Sequence, residues 1–100
     1  MIFQYKLDDE NTIEFRFDYS ESCKNVYKHC VIYVNDTKKD IRLLKKHFTN
    51  LPEILSKNCY FWKPCQAANS RRYKERKING EIKDWALKQG FVLISNICNY

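Results

Sequence analysis

Glycine and proline are scarce in this chain, with two of each among 100 residues. Phosphate-cradling loops need several glycines at close, fixed offsets, so Gly80 and Gly90 alone exclude the Gly-rich nucleotide-binding motifs. Histidine is as thin, with only His29 and His47. A nuclease site gathers histidines or carboxylates with Arg and Lys at one place. The chain offers no such grouping along its sequence, so no catalytic residue is assigned. A small RNase-like toxin, with His47 brought to Arg71 or Lys74 by the fold, is the enzymatic alternative.

Long apolar runs are missing too. No stretch approaches the roughly 20 residues that a membrane span requires. The opening MIFQYKLDDEN has neither a basic leader nor an apolar core segment. The cysteines are odd in number: Cys23, Cys30, Cys59, Cys65 and Cys98. That count argues against the paired framework of a small secreted domain. These absences predict a soluble, cytoplasmic protein that does not meet the membrane. The gaps from Cys23 to Cys30 and from Cys59 to Cys65 are wider than a zinc knuckle uses. Free cysteines acting as small hydrophobes are therefore expected, with no metal and no cofactor. A zinc site from Cys23, Cys59, Cys65 and Cys98 is the competing arrangement.

What is present suits a folded domain. Apolar residues make up 44% of the chain, charged residues 30% and aromatics 15%. This composition excludes global disorder and fits one domain over residues 1–100. Charge is divided unevenly. Met1 to Asp36 hold four Lys/Arg against seven Asp/Glu, while Thr37 to Tyr100 hold fourteen against five, and the two halves sum to +6. An acidic front and a basic rear favour an anionic partner for the rear.

Periodicity gives the elements. Phe3, Tyr5 and Leu7 alternate with polar residues, as do Ile13, Phe15, Phe17 and Tyr19, so two strands with one wet face are expected. Asp8 to Asn11 reads as the hairpin turn between them rather than a metal site. His29 to Asn35 is apolar on both faces, like a central strand. Asp36-Thr37 reads as its end and as a helix cap. Ile41, Leu44, Phe48, Leu51 and Leu55 predict a helix from about Lys38 to Phe48, a kink at Pro52, and a further turn or two to Lys57. Cys59 to Trp62 is a short strand closed by Lys63-Pro64. Ser70 to Lys77 and the stripe Ile78, Ile82, Trp85, Ala86 read as two helical segments, with Asn79 capping the second and Gly90 ending it. Phe91 to Ile94 is a buried strand. The expected fold is α+β, a mixed five-stranded sheet in the order β-β-β-α-β-α-β with helices mainly on one face.

The chemistry concentrates in one stretch. Arg71, Arg72, Lys74, Arg76 and Lys77 surround Tyr73, with Glu75 the single acid among them. Arginine presents a planar fork that matches phosphate oxygens. On a helix Arg72 and Arg76 share a face. Cations crowded at a helix amino terminus oppose its dipole, which suggests another use for the charge. The pattern predicts a non-enzymatic protein whose basic helix grips nucleic-acid phosphates, RNA or DNA, assisted by Lys63 and by an exposed Tyr73 or Trp62. The alternative is a phage or mobile-element inhibitor or adaptor that blocks a host protein or nucleoprotein enzyme, its acidic front (Asp8, Asp9, Glu10, Glu14, Asp18, Glu21) imitating phosphates.

Overall fold

Two alternating strands build the floor of the core. In the computed structural model, which describes residues 1–21, 26–56 and 68–96, they are β1 (Ile2–Lys6) and β2 (Thr12–Glu21). Phe3 from β1 and Ile13, Phe15, Phe17 and Tyr19 from β2 all point to one side and are buried. The turn between the strands is held by Asp8, whose carboxylate accepts the N–H groups of Glu10 and Asn11, each at 2.8 Å, and also the Asn11 amide. These bonds to the charged form hold the Asp8 carboxyl below its usual range.

β3 (Val26–Val34) pairs with β2 from Ile13 to Glu21, and β4 (Thr37–Lys39) pairs with the end of β3. Among the described residues three helices follow: α1 (Leu43–His47), α2 (Glu53–Ser56) and α3 (Ala68–Gln89). Finally β5 (Val92–Ser95) joins the free edge of β1. The sheet order is β4-β3-β2-β1-β5.

The domain is therefore α+β with five strands, but the sheet is antiparallel in every pairing rather than mixed. Between β4 on one edge and β5 on the other, where β5 pairs with β1, the chain forms α1, α2 and α3. One strand of the sheet, β4, lies where the start of a helix was expected. Asn35 and Asp36 both adopt positive φ, 50° and 66°, the combination that a two-residue hairpin turn requires. Asp36-Thr37 thus opens β4 instead of capping a helix. The predicted helix from Lys38 shrinks to a single turn and a half at Leu43–His47. Asn50 takes a positive φ of 56° between α1 and α2. The predicted strand Cys59 to Trp62 lies outside the described residues.

All three helices bury side chains against the same sheet face: Leu44 from α1, Ile54 and Leu55 from α2, and Ile82, Trp85 and Ala86 from α3. Rings carry much of the packing. Phe48 meets Phe91 at 4.8 Å between centroids and Tyr5 edge-on at 5.0 Å, while Trp85 stands edge-on to Phe15 at 6.3 Å. The other sheet face carries polar groups. There Arg16 bridges to Glu14 at 2.8 Å and lies 5.0 Å from the Tyr33 ring centre.

Candidate functional site

The candidate site is the amino-terminal half of α3, and the carboxyl-terminal half determines how it is presented. Ile82, Trp85 and Ala86 lie on one side of the helix and are buried. The Trp85 indole N–H donates to the carbonyl of Thr49 at 3.0 Å, tying the helix to the segment after α1. At the far end, Gly90 adopts φ +101°. Its N–H donates to the Leu87 carbonyl at 3.1 Å, and that of Phe91 to the Ala86 carbonyl at 3.0 Å. This is the double closure of a Schellman stop, in the place expected for Gly90.

The helix does not break at Asn79. It runs 22 residues without interruption. The reason is that the Asn79 side chain has a distant partner. Its carbonyl accepts the Tyr19 N–H at 3.0 Å, and its amide donates to the Tyr19 carbonyl at 3.1 Å. Beside β2, β1 has already run out, since the last main-chain bond on that side is from the Phe17 N–H to Met1. Asn79 therefore continues the ladder with a carboxamide where a strand is lacking. Buried main-chain groups demand such a partner. Gly80 is accommodated inside the helix, with open space where a Cβ would sit.

These anchors fix the rotation of the helix. At about 100° per residue, the buried stripe leaves Arg72 and Arg76 as one outward pair and Tyr73 and Lys77 as the neighbouring pair. All four are exposed, Tyr73 at 63%. Together they form a square patch at positions i, i+1, i+4 and i+5. Among the described residues, Arg72, Arg76 and Lys77 enter no ion pair with a carboxylate. The Arg76 Nε–H makes only a long bond, 3.4 Å, to the Arg72 carbonyl. Lys74 and Glu75 turn toward the body of the molecule and are half-buried. Arg71 belongs to α3, but its side chain falls outside the described residues, as do Lys63 and Trp62 entirely. Four of the seven expected contact residues are thus brought together, and Lys74 is set to one side.

His47 does not join them. It is the last residue of α1, directly beside Phe48, which packs edge-on to Trp85 at 6.1 Å. Lys74 lies eleven residues before Trp85, about 16 Å back along the helix. His29 sits on the polar sheet face, opposite Asp18 across the strands. Burial lowers its pKa, and the Asp18 charge only partly offsets this. Cys30, on the core side, is half-buried, and burial pushes its thiol up to about 11. It therefore stays protonated at neutral pH and is a poor nucleophile or metal ligand. Among the described residues no three metal-ligating side chains gather, and no helix is long and apolar enough to cross a membrane. The other four cysteines lie outside the described residues.

The acidic front is largely engaged with its own chain. Asp8 holds its turn, Glu14 is taken by Arg16, and Asp18 binds the amino-terminal ammonium at 2.9 Å. A second group of cations lies off the apolar stripe of α1, where sequence reasoning assigned it no role. Lys39, Asp40, Arg42, Leu43 and Lys46 line an open groove of about 410 Å³ beside α1. Asp40 holds the Arg42 guanidinium through two bonds, at 3.1 and 3.0 Å. The density of lysine from Lys38 to Lys46 was the available signal.

No family model matches the chain, and neither a curated protein nor a solved structure matches it.

Proposed function

We propose that the protein is a non-enzymatic nucleic-acid-binding domain that grips the phosphate backbone with the amino-terminal half of α3. The observation that carries this reading is the exposed square of Arg72, Tyr73, Arg76 and Lys77, which no carboxylate of the described residues neutralises. Two guanidinium groups one helical turn apart can each fork onto phosphate oxygens. Lys77 adds a third cation, and each neutralised phosphate releases counterions to solution. Tyr73 stands between the cations with most of its ring open, where it can pack on a sugar or an unpaired base. The rigid anchoring of the lower half of α3 supports the same reading, since a gripping surface gains from being held in place before its ligand arrives.

The test is a salt titration of binding to labelled single- and double-stranded oligonucleotides. Wild-type protein binds at low salt, with affinity falling linearly in log–log form. The triple change Arg72→Glu, Arg76→Glu, Lys77→Glu abolishes binding while leaving the fold intact by circular dichroism. Equal binding by wild type and triple variant would end the proposal.

A further inference from the structure

The groove beside α1 is cationic like the α3 patch, except that Asp40 pairs with its Arg42, and it lies on the same side of the sheet. Lys39 and Lys46 flank it, and Leu43 contributes its apolar part. Arg42 enters it already oriented, because Asp40 takes both the Arg42 main-chain N–H at 2.8 Å and its guanidinium. Lys39, Arg42, Lys45 and Lys46 are all exposed, so four cations face one carboxylate over eight residues. In β4, Lys39 pairs with Ile32, whose side chain is buried under the helices, so Lys39 shares the helical side of the sheet. Lys38, its neighbour, points to the other face.

The spacing between the two cationic surfaces follows from the register. β4 sits beside Ile32–Val34, level with Ile13–Phe15 of β2. Asn79 of α3 sits at Tyr19, and Trp85 at Phe15, so α3 runs back along β2. From the level of β4 to Tyr19 is about five residues of strand, and from Asn79 to Arg72 seven residues of helix, together about 25 Å. Between the two surfaces α3 exposes Glu81 and Asp84. Among the described residues these two acids separate the cationic surfaces.

We propose that the Lys39–Arg42–Lys46 groove is a second phosphate-binding surface, and that one nucleic-acid duplex lying along the helical layer reaches both it and the α3 patch. The inference rests on the nucleic-acid reading of α3. It adds a minimum ligand length. A duplex advances 3.4 Å per base pair, so roughly seven base pairs are needed to touch both surfaces.

The experiment compares a 20-base-pair DNA duplex with a covalently end-linked 5-base-pair duplex, using wild-type protein, Lys39→Gln/Lys46→Gln and Arg72→Gln/Arg76→Gln. On the long duplex the groove variant loses roughly tenfold in affinity, and its log–log salt slope falls by about 1.8, two contacts at about 0.9 each. On the short duplex it binds like wild type. An unchanged slope on the long duplex would overturn the groove proposal and leave α3 standing. An equal loss on both lengths would overturn the two-point geometry. If instead the α3 variant alone matches wild type on both duplexes, the α3 reading fails by itself.

Discussion

The two halves of α3 belong to one helix and obey opposite rules. From Ile78 onward the helix is built into the molecule: Ile82, Trp85 and Ala86 are buried, Trp85 and Asn79 bond to other elements, and Gly90 closes the end. From Arg72 to Lys77 no residue is fully buried, and the outward side chains are three cations and a tyrosine. A helix whose stability comes from one half can carry in the other half residues that contribute nothing to folding. The difference teaches that stability and charge presentation are separable here, and it can be attacked from either side.

The largest effect is expected at Trp85. Trp85→Ala removes a buried ring that meets Phe15, Phe48 and Phe91, together with the indole bond to Thr49. A loss of about 3–5 kcal/mol is expected in denaturant unfolding. Arg76→Ala, nine residues earlier on the same helix, should stay within about 0.5 kcal/mol of wild type. Comparable losses at the two positions would erase the contrast.

Next comes the joint between the halves. Asn79→Ala strands the Tyr19 N–H and carbonyl, and a cost of about 1–3 kcal/mol follows. Amide exchange at Tyr19 should speed up with it. Asn79→Asp tests the pairing more narrowly, because a carboxylate still accepts from the Tyr19 N–H but cannot donate to its carbonyl.

The two glycines of α3 and its end should respond with opposite signs. Gly90→Ala forces a Cβ onto a residue at φ +101° and brings it within 3.3 Å of the Tyr5 ring, so about 1 kcal/mol or more is lost. Gly80→Ala meets open space and gains about 1 kcal/mol of helix propensity. Thermal melts of the pair, moving apart around wild type, would verify that α3 is continuous through Gly80.

How much of this was legible beforehand depends on how local the cause is. Alternation at Ile13, Phe15, Phe17 and Tyr19 identified the core face of β2, because side-chain direction in a strand needs only period two. The Gly90 stop was equally local. β4 was missed because Asn and Asp serve both as helix caps and as the positive-φ pair of a tight hairpin, and Thr37–Lys39 is too short to display a period. Asn79 was misread for a different reason. Its partner stands sixty residues away, and nothing near it in sequence reports that β1 ends before Tyr19. For the site, composition located the cations, but deciding which face outward needed the rotation of α3. That rotation is set by Ile82 and Trp85 rather than by the basic stretch.

The smallest expected effect discriminates best. Arg72→Glu replaces a cation near the positive end of the helix dipole and puts a carboxylate four residues before Arg76. Relief of the dipole conflict and the new i, i+4 pair should together stabilise the fold by about 0.5 kcal/mol. Binding to nucleic acid should move the other way, losing roughly tenfold at low salt as a phosphate contact becomes a repulsion. A residue kept only as solvated surface would show the gain in stability with no loss elsewhere. Opposite signs from one substitution, read in a melt and in a binding curve on the same protein sample, would mean that the chain retains Arg72 against the preference of its own helix, and that the reason lies in what the exposed half of α3 touches.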